Sequence, residues 1–297
     1  MMKSDSSKEM NPQPEEWQKN KMELQARIDE LSDKLYEVNK KLKETEAYKG
    51  HFISNITNEI VNPFASIIAL SENILSLGDT NMAKARRMAG LINTEASHLD
   101  FQLSNIFVAA TVESGKEFLN YTSFNIKDLV SSVTDYFNKQ VEEKGIFINT
   151  VFEDKSSGNN AESFVSDYKK VEMILKNLLS NAVKFSHVGD KVEMLIKVSE
   201  EELEFSIRDY GKGVPEEHRK QIYDRFKQVD ERINSINSGH GLGLSIVKSY
   251  CSLLEGTLAM QFPTDGGTKV IVELPMASMT DQDDDWSDFM IDMGEKF

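Results

Sequence analysis

Asn177 to Ser186 reads NLLSNAVKFS, inside a segment whose pattern predicts a helix from Lys169 to Phe185. Asn177 and Asn181 are four residues apart, so their carboxamides share one helix face, a turn apart. Oxygen ligands of that kind suit Mg²⁺ held between triphosphate oxygens. Lys184, three residues further on, reaches the same phosphates as a point charge.

Two downstream strings extend this chemistry. Asp209 closes a predicted strand and precedes Tyr210-Gly211-Lys212-Gly213. A carboxylate there accepts a hydrogen bond from an adenine amino group, and Gly211 and Gly213 let backbone approach the base. Gly239 to Lys248 reads GHGLGLSIVK, in which Gly239, Gly241 and Gly243 form a loop feeding a helix N-terminus. Backbone N–H groups and the helix dipole favour phosphate at such a place. Each feature alone also fits a plain structural role: a solvated helix face, a tight turn, a flexible loop. Their order and spacing together favour a nucleotide site.

The surrounding texture is mixed α and β. Leu129 to Lys144 reads as a helix, Ile146 to Phe152 as a strand, and a short strand falls near Phe164. Val192, Met194, Ile196 and Val198 alternate, then Leu203, Phe205 and Ile207 do so again, which predicts two antiparallel strands with one buried face. A helix begins near Gly243, and Val270 to Leu274 gives a last strand. The fold class is α+β, with an α/β sandwich here.

Upstream the chain is helical. Trp17, Leu24, Ile28, Leu31, Leu35, Val38 and Leu42 fall on three- and four-residue steps with Glu and Lys between them, the signature of a coiled coil. With Ile28 at position a, the phase carries through to Phe52 and Ile56. His51 and Asn58 then both fall at c, Glu59 at d and Asn62 at g. Pro63 should kink this helix rather than end it, because Ile67, Ile68, Leu70, Ile74 and Leu75 resume the pattern. After a turn at Gly78-Asp79, a second helix runs from about Met82 to Val112, with Met88, Ile92, Leu99, Leu103, Ile106 and Phe107 on its apolar face and Ser114-Gly115 at its end. Two helices joined by a short loop cannot close a core alone, so a dimeric four-helix bundle is expected.

Composition narrows the class further. The formal charge of −15 and the lack of a basic stripe argue against a nucleic-acid partner. Ser278 to Phe297 holds seven acidic residues against one lysine, interleaved with Trp286, Phe289, Met290, Ile291 and Met293. That tail fits either a solubilising disordered segment or an amphipathic peptide that docks on a basic partner surface. A single cysteine, Cys251, in an apolar run reads as a small buried residue. No signal peptide and no run long enough to span a membrane are found, so a cytoplasmic chain is expected.

With these strings in view, the chain resembles the histidine kinases of two-component systems, within the wider ATPase superfamily that includes gyrase and mismatch-repair ATPases. NLLSNAVKFS resembles the N box, DYGKG (209–213) the G1 box, IYDRF (222–226) the F box, GHGLGL (239–244) the G2 box and GGT (266–268) the last glycine motif. The resemblance covers about Lys49 to Pro275. It implies ATP and Mg²⁺ as cofactors, with Asn177 and Asn181 as metal ligands. The implied nucleotide-binding positions are Asn177, Asn181, Lys184, Asp209, Gly211, Gly213, Arg225, Gly239, Gly241, Leu242, Gly243 and Thr268, with Arg225 to Gly243 forming a lid over ATP. The implied organisation is a disordered start (1–15), a coiled coil (16–50), a dimerisation and phosphotransfer hairpin (51–116), an ATP-binding catalytic domain (117–276) and an acidic tail (277–297).

One position departs from the pattern. Asn58, Glu59, Ile60, Val61, Asn62, Pro63 and Phe64 match the family's phosphoacceptor motif, but asparagine stands where the histidine belongs. A neutral imidazole nitrogen is nucleophilic near neutral pH. A carboxamide nitrogen is delocalised into its carbonyl and is not, so Asn58 should accept no phosphate. His51, His98, His187, His218 and His240 sit where no phosphoacceptor is expected. Glu59 and Asn62 keep the acid-then-amide spacing that the resemblance links to phosphatase action on a partner's phospho-aspartate, although Asn62 also fits a polar surface position before the proline. Three readings follow. The first is a homodimer, or a heterodimer with an active kinase, that binds Mg-ATP without phosphorylating itself and acts as scaffold, allosteric partner or response-regulator phosphatase. The second is an active kinase in which an inactivating substitution has put asparagine at position 58. The third is a nucleotide-independent binding module.

Overall fold

The computed structural model describes residues 14–77, 81–115, 117–154, 163–219, 222 and 241–278. The expected disorder of 1–15 and the acidic tail lie almost wholly outside these residues, as do Arg225, Gly239 and most of the expected lid. The chain divides into two units, residues 1–54 and 55–297.

Helix α1 spans Pro14–Leu75, 62 residues, and continues through Pro63 as the resumed apolar pattern predicts. In the first unit Trp17, Leu24, Ile28, Leu31, Leu35, Val38 and Leu42 are all exposed, at 49–66%. The stripe that the heptads mark buries nothing within a single chain.

In the second unit, helix α2 spans Met82–Ser114 and stops at Gly115, whose φ of 66° is a left-handed cap. Only part of the expected apolar face is buried within one chain, and two residues outside it are buried as well. Leu99, Phe101 and Asn105 are buried, whereas Phe107 is 67% exposed. The reason is that α2 docks on the domain that follows. Phe101 meets the rings of Tyr136 and Phe137 edge-on at 6.1 and 6.4 Å.

That domain begins with strand β1, Tyr121–Asn125. Asn125 then caps helix α3, Ile126–Lys144, its side chain accepting from the N–H groups of Lys127 and Asp128. Strand β2 (Phe147–Asp154) and the short β3 (Ser163–Asp167) follow. Asp167 in turn caps helix α4, Tyr168–Phe185, by accepting from Lys170 N–H. Strands β4 (Lys191–Val198) and β5 (Glu202–Arg208), helix α5 (Gly243–Leu253), and strands β6 (Thr257–Gln261) and β7 (Lys269–Pro275) complete it.

Strands β1 and β3 pair as an antiparallel ribbon, and the other five form a sheet in the order β2-β4-β5-β7-β6. Only β2–β4 is parallel; the remaining pairs are antiparallel. The predicted alternation holds, since Val192, Met194, Ile196, Leu203, Phe205, Ile207, Val272 and Leu274 are all buried. Helix α4 packs against α3, α5 and β5, and contributes Val171, Ile174, Leu175, Leu178 and Leu179 to the same core. Each of these large side chains adds about 1.5–3 kcal/mol by leaving water. On the sheet's other face, Lys197 donates to both carboxylate oxygens of its cross-strand partner Glu204 at 2.9 Å. The domain is therefore a mixed helix-and-sheet sandwich. Cys251 is buried as expected, and burial pushes its thiol up to about 12.

Phe205 lies fully buried at the middle of β5. Phe205→Ala should cost about 3–5 kcal/mol in urea unfolding, through lost transfer energy plus a cavity. A cost below about 1 kcal/mol would mean this face is not the core.

Candidate functional site

The site is organised by α4. Its third turn buries Asn177, and the last turns of the same helix carry the half-buried Asn181 and Lys184. The Asn177 side chain is only 3% exposed. Its Nδ2 donates to the Met173 carbonyl at 3.0 Å and to Asn105 Oδ1 on α2 at 2.8 Å. A carbonyl only accepts, so the atom facing Met173 must be the amide nitrogen, and the orientation of the carboxamide is fixed by its partners.

Gly243, the first residue of α5, sits directly on this pair of carboxamides. A Cβ there would lie 2.8 Å from Asn177 Oδ1 and 3.7 Å from Asn181 Nδ2. Only glycine lets the loop approach so closely. The preceding Gly241 has a φ of 67°, and Leu242 is buried, its carbonyl accepting from Ile246 N–H and the Ser245 hydroxyl.

The second cluster gathers where α4 ends. A Cβ on Gly211 would lie 2.0 Å from the Phe185 carbonyl oxygen, and one on Gly267 would lie 2.0 Å from the Asp209 carbonyl. Gly213, with a φ of 64°, faces the Gly267 carbonyl in the same way at 3.1 Å. Asp209 N–H donates to the Thr268 carbonyl at 2.9 Å, and the Asp209 carboxylate accepts from Gly211 N–H at 3.0 Å. Both Asp209 and Thr268 are buried. Burial raises the Asp209 carboxyl above its ordinary value, opposed by hydrogen bonds from the Gly211 and Thr268 backbone.

The fold thus brings Asn177, Asn181 and Gly243 together, and Asp209, Gly211, Gly213 and Thr268 together, at two places along one helix. Lys184 holds its ammonium 5.4 Å from the centre of the Phe185 ring, between the two. Carboxamide oxygens are hard donors, and two of them a turn apart fit Mg²⁺, which takes its remaining oxygens from phosphate and water. On the first long helix, Asn58 and Glu59 are helical with side chains outside the described residues, and Asn62 is exposed. The His51 side chain and His240 also lie outside; His98 pairs with Gln102 at 3.0 Å and His187 with Asp190 at 3.0 Å.

Sequence reasoning missed Asn105. The signal was available as one polar residue, four after Phe101, on a face that helical spacing makes continuous with it. It also missed the clamp next door. The buried Lys170 ammonium, on the first turn of α4, reaches the buried Asp167 at 2.9 Å, the half-buried Glu117 at 3.3 Å and the Phe118 carbonyl at 2.7 Å.

Comparison with known proteins places this geometry. Residues 166–278 match the family described as histidine kinase-, DNA gyrase B- and HSP90-like ATPase. The chain is 27% identical over 267 residues to hybrid signal transduction histidine kinase D of Dictyostelium discoideum, covering 88% of this chain and 17% of that protein. It is 26% identical over 265 residues to the circadian input-output histidine kinase CikA of Thermosynechococcus vestitus, covering 89% of this chain and 36% of that protein. The crystal structure of full-length ShkA in complex with AMPPNP shares the fold, with a TM-score of 0.52 at 21% identity over 76% of this chain and 46% of that one. The chain spans less than half the length of each of these proteins. Residues 166–278 thus form a domain of the histidine kinase-, DNA gyrase B- and HSP90-like ATPase kind, within a chain similar to histidine kinases over most of its length. Among the described residues, no helix is long and apolar enough to cross a membrane.

The raised Asp209 carboxyl gives a stability prediction with a definite sign. The folded state holds the proton more tightly than the unfolded chain, so ionising Asp209 weakens the fold as pH rises through its folded value, and the deficit persists above it. Asp209→Asn keeps an oxygen for Gly211 N–H and removes the buried charge. At pH 7 the variant should melt no lower than the parent, with its advantage shrinking towards pH 4. A lower melting temperature at pH 7 would contradict this.

Proposed function

We propose that this chain is a histidine-kinase-family signalling protein of a two-component pathway that binds Mg-ATP and does not phosphorylate itself. The observation that carries the reading is the convergence on α4 of two clusters, each built around a buried polar side chain. One is the Asn177–Asn181–Gly243 cluster; the other is the Asp209–Gly211–Thr268 cluster at the helix end.

In this reading Asn177 and Asn181 hold the metal, and Lys184 swings from the Phe185 ring to the phosphates. Bound Mg²⁺ neutralises triphosphate charge and fixes its oxygens. Asp209 accepts from the adenine amino group, with Gly211 and Gly213 giving the base room at the backbone and Thr268 beside it. Gly241, Leu242 and Gly243 present backbone to the phosphates, and Arg225 and Gly239 belong to the segment that covers them. Asp209→Asn, although expected to melt no lower than the parent at pH 7, should then weaken nucleotide binding, because the amide nitrogen now faces the adenine amino group donor to donor.

The N-terminal half supplies the partner contacts. The exposed stripe of α1 pairs two copies as a coiled coil (16–50), residues 51–116 form the dimerisation hairpin, and 117–276 bind nucleotide. A heterodimer with an active kinase uses the same stripe. With asparagine at 58, output passes through a response regulator by scaffolding, allostery or dephosphorylation. The exposed Asn62, three residues after Glu59 on one continuous helix, supports the last. The acidic tail from 277 docks a protein partner.

Incubation with γ-labelled ATP tests the reading together with calorimetry. ATP should bind in a Mg²⁺-dependent manner and leave the chain unlabelled, and Asn58→His should restore acid-labile label. Label on the unaltered chain, or no ATP binding, would overturn it.

A further inference from the structure

Helix α2 touches the nucleotide-binding domain along a single face, through Thr94, Ser97, Phe101 and Asn105, spaced three, four and four apart. Lys139 Nζ donates to Thr94 Oγ1 at 2.6 Å, and the Tyr136 hydroxyl donates to the Ser97 carbonyl at 2.6 Å. Phe101 packs edge-on against Tyr136 and Phe137. One turn beyond, Asn105 is 8% exposed and accepts from Asn177 Nδ2 at 2.8 Å.

A buried asparagine in this row calls for an account. Docking alone is served as well by an apolar side chain, and a buried polar group costs stability unless it is paired. Asn105 is paired, and its partner is the carboxamide whose oxygen faces Gly243. With Met173 taking one amide proton and Asn105 the other, Asn177 Nδ2 is held from two sides. Its Oδ1 is thereby aimed away from both, at the loop end of the site. Without Asn105 one amide proton loses its partner, and the carboxamide is free to turn.

We propose that Asn105 is a positioning residue for Asn177, so that the seating of α2 sets how well the site holds a divalent metal on its nucleotide. This deepens the Mg-ATP reading and rests on it. The coupling is short and discrete. One helical turn of sliding moves Asn105 by about 5.4 Å, and a rotation by one residue turns it through about 100°; either breaks a 2.8 Å hydrogen bond. A signal arriving along α2 thus reaches the metal ligand through a single contact, without deforming the sheet.

The test is calorimetry on the full chain with ATP in Mg²⁺ and again in EDTA, for the parent, Asn105→Leu, Asn105→Ala and Asn105→Asp. The readout is the ratio of the two affinities. Leu and Ala remove the acceptor, and should lower the Mg²⁺-dependent gain about tenfold while leaving affinity in EDTA unchanged, because the adenine end at Asp209 is untouched. Asp keeps an oxygen that accepts from Asn177 and should retain most of the gain. Thermal melting checks that each variant is folded, and Ala stands in should Leu fail to fold. A Mg²⁺ gain within twofold of the parent in the Leu and Ala variants would overturn the proposal, as would an Asp variant that loses the gain as fully as Leu. A parent that binds ATP equally with and without Mg²⁺ would also overturn it. A parent that binds no ATP at all would refute the Mg-ATP reading itself, and the proposal with it.

Discussion

At the end of α4 the backbone of the β5–α5 region comes so close to Phe185 that no side chain fits between them. Gly211 lies on the Phe185 carbonyl and Gly267 on the Asp209 carbonyl, each near enough that a Cβ would stand 2.0 Å from an oxygen. The first approach, together with Gly243 on Asn177, fixes where both ends of the β5–α5 connection meet α4, and the second sets the β6–β7 loop against Asp209. Asp209 owes its burial to this arrangement, and so does the closeness of Thr268. Overpacking in such a place moves backbone and not merely a flexible side-chain end, so a side chain at Gly211 or Gly267 would displace the loops themselves.

The helical segments connect to this site through polar contacts more than through apolar area. Lys170 binds Asp167 and Glu117 and touches the Phe118 carbonyl, tying the stretch after α2 to the start of α4. The Tyr250 hydroxyl of α5 donates to the same Glu117 at 3.4 Å, so three elements share one largely buried ionic group. Removing one member of such a group strands the others without solvent, a larger penalty than the pair's own net contribution. Asn105 and Lys170 therefore hold α2 and its exit in register with α4, whereas the exposed stripe of α1 makes no such commitment within one chain.

Much of this was legible in the residues. The alternation in β4 and β5 and the helical spacing of α4 each bury one face, and burial is what periodicity encodes. The glycine strings were legible because close backbone approach leaves few other choices. Strands β1 and β6 were not. YTSFN is a short half of a two-stranded ribbon with two exposed residues in its middle, and TLAMQ is an edge strand alternating exposed with half-buried positions. Neither carries a strong apolar period. The contact of α2 with the following domain was not legible for a different reason. Spacing shows that a stripe exists, but not which partner covers it, and Phe101 and Asn105 turn to Tyr136 and Asn177 while Phe107 stays exposed. Asn58 is legible as chemistry alone, because a carboxamide is a poor nucleophile in any fold.

The claim at the centre of this account is that α4 holds a metal through two carboxamides while Asp209 holds the base. A crystal structure of the chain grown with Mg²⁺ and a non-hydrolysable ATP analogue addresses it directly. The account predicts a metal about 2.1 Å from the oxygens of Asn177 and Asn181, with the adenine amino group on Asp209. A metal bound to phosphates but away from both carboxamides, or a base seated elsewhere, would contradict it.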